Sequence, residues 1–146
     1  MRRAIAVALG TGAFISSAAA LSLSGTENGT TDMNRREYEI SLHDVAAATP
    51  VAMSRCEALG SAEKDLCRAE AEAREMVRVA EIELGFRRTE TSARALQRAR
   101  IDARYQVERA RCGTLAGAKR DRCLIRAHAA RGRAFLEAAS PYEVRF

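Results

Sequence analysis

The chain has 146 residues, 29% of them charged and 47% hydrophobic with much of that alanine, no tryptophan, and a formal net charge of +5. That length suits one domain and is too short for two ordinary ones, and because apolar burial yields roughly 25 cal/mol per Å², a core built on alanine is thin. Charge is unevenly divided: residues 21–84 hold 7 basic and 13 acidic side chains, net −6, and residues 85–146 hold 15 basic and 6 acidic, net +9. Such opposition suits docking of one half on the other, within a chain or between chains.

Residues 1–20 read as a cleaved signal peptide. Met1-Arg2-Arg3 gives a positive start, Ala4 to Ile15 an apolar run, and Ser16-Ser17-Ala18-Ala19-Ala20 a small-residue exit with an A-x-A pattern at Ala18 and Ala20. The competing reading is an uncleaved anchor, because the run prolonged to Leu23 approaches the ~20 residues that a spanning helix needs. Residues 21–36, rich in Ser, Thr, Gly, Asn and charges, read as a flexible leader.

A helical domain is expected over 37–140, followed by a tail at 141–146. Its first helix falls within His43–Leu59 and meets Thr49-Pro50. Proline costs a helix interior ~3 kcal/mol, so the helix either starts at Pro50 with Thr49 as its cap or runs longer and kinks there. The strongest internal signal comes next. Arg55-Cys56-Glu57-Ala58-Leu59-Gly60-Ser61-Ala62-Glu63-Lys64-Asp65-Leu66-Cys67 aligns without gaps on residues 111–123, giving R-C-x-x-L-x-x-A-x-x-D-x-C twice at an offset of 56. Each copy reads as helix, tight turn, helix, with hairpins at about 50–84 and 92–139. Gly60 and Gly117 sit where a helix would end in a left-handed residue, and Ser61 is placed to cap the helix that follows.

In that second helix Leu66, Ala69, Ala73, Met76, Ala80 and Leu84 step by three or four residues along one face, and Gly85 is expected to stop it. Thr89 or Thr91 caps the third helix, which carries the stripe Leu96, Ala99, Ala103, Val107 and Ala110. The last helix, about 118–139, aligns Cys123, Ala127, Ala130, Ala134 and Ala138 before Ser140-Pro141 ends it. Helices near 22 residues, about 33 Å at 1.5 Å per residue, joined by short connections, predict an all-α fold of two disulfide-stapled hairpins forming an antiparallel four-helix bundle. The alternative is an extended pair of hairpins sharing little core.

The cysteines of each copy are 11 positions apart, one on each side of a turn, so the pairing Cys56–Cys67 and Cys112–Cys123 is favoured over the two other connectivities. A metal or redox site fits poorly: there is no C-x-x-C, and His43 and His128 stand far apart in sequence. No nucleophile–base–orienter set is visible. The repeated Asp65 and Asp121 are read as carboxylates in the first turns of their helices, favoured there by the dipole, and not as catalytic groups. No catalytic residue, metal ligand or cofactor is therefore expected. Arg94, Arg98 and Arg104 of the arginine-rich third helix are the candidate contacts for an anionic partner, with an envelope surface a better client than nucleic acid.

The doubled C-x-x-L-x-x-A-x-x-D-x-C, followed by alanine and charged residues over about 50–135, resembles a group of small exported alanine-rich helical proteins of Gram-negative bacteria that carry C-x-x-L-x-G-x-A-K-D-x-C units. Gly-Phe-Arg-Arg-Thr at 85–89 departs from the group's usual linker, and the first copy places its turn glycine one position earlier. The resemblance implies a periplasmic address and lends no catalytic residues. The expected function is that of a non-catalytic periplasmic binding or structural protein, stress-related or chaperone-like. Its partner would be an envelope protein or a second copy. The alternative is a basic adaptor that binds anionic envelope lipid or polymer.

Overall fold

The computed structural model describes residues 33–139; the expected signal peptide, most of the leader and the C-terminal tail lie outside them. Four helices follow one another: α1 Arg35–Cys56, α2 Ser61–Arg87, α3 Glu90–Cys112 and α4 Gly117–Ala139. The fold is all-α, with no strand among the described residues.

α1 begins earlier than the sequence reading placed it. Asn34 and Glu37 form a reciprocal capping box, in which the Glu37 amide donates to Asn34 Oδ1 at 2.9 Å and the Asn34 amide donates to the Glu37 carboxylate at 3.0 Å. Two amides that helix geometry leaves unpaired are thereby satisfied, so the helix starts at Arg35, inside the expected leader. Pro50 then lies within α1, and Thr49 does not cap: its hydroxyl donates to the Val45 carbonyl at 3.0 Å. Pro50 has no amide for the Ala46 carbonyl, and Ala46 and Pro50 are both exposed, which leaves that carbonyl accessible to solvent. Pro50→Ala is accordingly expected to stabilise the protein, by up to ~3 kcal/mol, read as a rise in the urea midpoint at unchanged slope.

The two turns are closed by the expected disulfides, Cys56–Cys67 and Cys112–Cys123, each with its Cα atoms 5.6 Å apart. They share local hydrogen bonds at matching positions: the Leu59 amide donates to the Cys56 carbonyl, and the Leu115 amide to that of Cys112, both at 3.1 Å. Their glycines differ. Gly117 is left-handed, with φ +51°, whereas Gly60 is extended and serves as the N-cap of α2. Ser61 is therefore the first residue of α2 and not its cap. Asp65 and Asp121 also sit one step beyond the first turn, which Glu63 occupies in α2 and no acid occupies in α4.

Gly85 does not stop α2. The helix continues to Arg87, and Arg88 takes the left-handed position, φ 49°. The extra half-turn carries Phe86, which stacks on Tyr38 of α1 with ring centroids 4.4 Å apart. Gly85 lies against Met33, whose Cε would be 3.4 Å from an added Cβ. The next helix opens on Thr89, with Ser92 as its reciprocal partner. Ser92 is buried, and both its hydroxyl and its amide are engaged with Thr89.

The helices pack antiparallel in chain order: α1 on α2, α2 on α3, and α3 on α4, with the most extensive packing between α2 and α3. That central interface joins the hairpins into one bundle and rules against hairpins sharing little core. Both inner helices consequently carry two apolar faces. On α2, Ala73 and its stripe meet α3, while Ala71 and Ile82, three turns apart on the side of Cys67 and Phe86, pack towards α1. On α3, Leu96 and Ala103 are buried toward α2, and Tyr105 and Cys112 face α4. Apart from the cystines Cys56 and Cys112, Ile82 is the one large side chain buried to within 2% among the described residues. Alanine elsewhere keeps the helices close and the core thin.

Candidate interaction surface

Two polar–aromatic clusters dock the outer helices onto the inner pair. At α1, the Tyr38 hydroxyl donates to the Glu83 carboxylate, which also accepts from Arg87. The Tyr38 bond, then the Arg87 bond, holds the Glu83 carboxyl below its ordinary value of 4.5, and the same carboxylate raises the Tyr38 phenol. A carboxyl whose folded-state pKa is depressed contributes stability above its unfolded value and loses it as pH falls through the folded value. Acidification from pH 5 toward 3 is therefore expected to lower the thermal midpoint, and Glu83→Gln to flatten that dependence. Melts of both proteins across that range check this.

At α4, Arg131 pairs with Asp102 at 2.6 Å and lies 5.0 Å from the Tyr105 ring centroid and 5.3 Å from that of Phe135. The Tyr105 hydroxyl is within hydrogen-bond distance of His128, 3.0 Å from Nε2. His128 is thus a packing partner of α3. His43 stands beside Asp44, 3.9 Å away and exposed. Among the described residues no three His, Cys, Asp or Glu side chains are grouped to hold a metal ion.

A groove of about 850 Å³ runs between α2, α3 and α4 on the side of the stapled turns, lined by Asp65, Arg68, Glu72, Tyr105, Arg109 and Arg120 among others. Its lining mixes both charges and contains no histidine, serine, threonine or cysteine. The three arginines singled out from sequence do not form one site. Arg94 and Arg98 share a groove with Phe135 where the start of α3 meets the end of α4. Arg104 is on another flank of α3, in the grooves shared with α2 and with the middle of α4. Arg94 is paired with Glu90, whereas Arg98 and Arg104 have no carboxylate within ion-pair distance among the described residues.

The face that sequence reading missed is the outside of α4. With Ala127 buried against α3, the opposite side presents Ile125 at 67% and Leu136 at 74% exposure. Between them lie Ala129 and Gly132, both exposed. These four residues fall at i, i+4, i+7 and i+11, one continuous helical stripe. Arg126 and Arg133 flank it, again without an ion-pair partner among the described residues. The sign was present in the sequence: two large aliphatics at seam spacing on the side away from the alanine stripe.

No protein-family model matches this chain, and neither the curated proteins nor the solved structures contain a match to it. Among the described residues no helix is long and apolar enough to cross a membrane. The two disulfides fit an oxidising compartment.

Proposed function

We propose that this protein is an exported, non-catalytic helical interaction module of the periplasm, one of the small alanine-rich proteins that its doubled cysteine motif resembles. The observation that carries this reading is the outer face of α4, where Ile125 and Leu136 stand in solvent on an otherwise thinly packed fold. A helix that presents apolar residues at this spacing is built to be met by another helix. The signal-like residues 1–20 and the paired cysteines support the address. Crosslinking in the native envelope tests the reading: reproducible capture of a protein through α4, lost in Leu136→Glu, is the expected result. Recovery of uncrosslinked monomer alone overturns it. An intact mass from the envelope fraction, lacking residues 1–20 and four protons, tests address and staples together.

A second reading is favoured by Arg98 and Arg104, whose guanidinium groups have no carboxylate partner among the described residues. It makes the basic half an adaptor for anionic envelope lipid or polymer. It expects salt-sensitive binding to anionic vesicles or lipopolysaccharide, weakened when Arg94, Arg98 and Arg104 are changed to Gln. Binding unchanged by that triple substitution sinks it.

A further inference from the structure

The outer face of α1 has the same spacing as the outer face of α4. Ile40, Asp44, Ala47 and Val51 also fall at i, i+4, i+7 and i+11; all four are exposed, Ile40 at 50% and Val51 at 54%. Cys56, which marks the opposite side of α1, is fully buried. α1 and α4 make no close backbone approach to each other among the described residues, so both stripes are unpartnered. We infer that the α4 edge of one copy receives the α1 edge of a second copy, continuing the antiparallel order in which α1 to α4 already pack. The inference rests on the interaction reading above and names the partner as this chain itself.

The two stripes match when they run antiparallel. Leu136 meets the second copy's Ile40, Ala129 its Ala47, and Ile125 its Val51, so large residues close the ends and two alanines allow close approach in the middle. The remaining layer sets Gly132 against Asp44 of the second copy. Nothing lies within 4 Å of an added Cβ at Gly132, which leaves room for the Asp44 side chain, and the next residue is Arg133. Asp44, 73% exposed beside His43, and the unpaired Arg133 are complementary in charge at that layer. Over the whole helices, α4 carries six basic and two acidic side chains and α1 three of each, so charge complementarity at this seam is local to Asp44 and Arg133. Pairing α4 with its own copy in antiparallel fashion is disfavoured, because Arg126 and Arg133 would then face the same arginines.

An edge meeting a different edge is a heterologous contact, which closes into a ring or continues as a filament. Each seam covers 11 residue steps, about 17 Å of helix. A strip of that length and one helix diameter, ~10 Å, in width covers much less than the ~1,000 Å² expected of a stable interface, so association is weak and best read at high protein concentration.

The test is sedimentation of the disulfide-bonded protein with two edge variants, Ile125→Glu on α4 and Ile40→Glu on α1, both at exposed positions that the fold does not need. Wild type is expected to associate with rising concentration. Each variant alone is expected to remain monomeric or stop at a dimer of residual affinity at least tenfold weaker. An equal mixture is expected to regain a 1:1 dimer with wild-type affinity, because each variant keeps the edge that the other lacks. As a second measurement, one chain with Ala129→Cys and another with Ala47→Cys should give a mixed disulfide dimer on mild oxidation, in preference to either homodimer. A wild type that stays monomeric overturns this inference, as does a mixture that fails to associate or an Ile40→Glu protein that still associates fully. The interaction reading survives any of these if envelope crosslinking through α4 still captures another protein.

Discussion

Replacing Cys56 and Cys67 by serine, or Cys112 and Cys123 by serine, is expected to lower the unfolding free energy by about 3 kcal/mol in each case and the thermal midpoint by roughly 12–24 °C. The argument starts from the loop. Each disulfide joins residues 11 apart across a helix–turn–helix, and closing a loop of that length removes conformational freedom from the unfolded chain. Cys56 and Cys112 are buried completely, so serine there also places a hydroxyl where sulfur filled an apolar site, which adds to the loss. Removing both staples together subtracts about 6 kcal/mol, against the 5–15 kcal/mol of an ordinary domain. Chemical denaturation of the wild type with and without a reductant, beside the two paired serine variants, measures it. If the fully reduced wild type keeps its midpoint, the staples are dispensable and the thin alanine core suffices by itself.

The helices and staples were legible because their signals are local. Helical stepping, the turns between the paired cysteines and the Thr89 cap each depend on residues a few positions apart. The misread boundaries have physical causes of the same scale. Asn34 and Glu37 constitute a start signal that outweighs the polar look of residues 21–36. Of the two readings of Thr49-Pro50, the longer helix that passes through the proline is the one the fold adopts, with the Ala46 carbonyl at an exposed site. Gly85 looked like a terminus, yet the stacking of Phe86 on Tyr38 draws α2 onward and leaves Arg88 to bear the left-handed turn.

The surface was harder to read, because it depends on which face of a helix has a neighbour. One apolar stripe was sought per helix, and on α2 that found Ala73 but not Ala71 or Ile82, which pack on the other side. On α4 the alanine stripe faces a neighbour, with Ala127 buried, while Ile125 and Leu136 lie on the side away from that stripe. Only the order of packing, with α4 at an edge, turns those two residues into a surface. The arginines show the same limit: Arg94, Arg98 and Arg104 are close in sequence, yet their positions around α3 send Arg104 to different grooves.

Ile82 and Ile125 provide the sharpest comparison between holding the fold and meeting a partner. Ile82→Ala is expected to cost 2–5 kcal/mol, because the side chain is 2% exposed and its removal loses both apolar burial and the contacts of a site that relaxes incompletely. Ile125→Ala removes the same three carbons from a side chain that is 67% exposed, and is expected to change stability by no more than about 0.5 kcal/mol. Urea unfolding of the two variants at low concentration, where any association is suppressed, decides the matter. A loss at Ile125 comparable to that at Ile82 would mean that the outer face of α4 is buried by its own chain and is unavailable to a partner. The expected contrast, with Ile82 carrying stability and Ile125 almost none, leaves the Ile125 side chain free to meet the partner proposed above without cost to the fold.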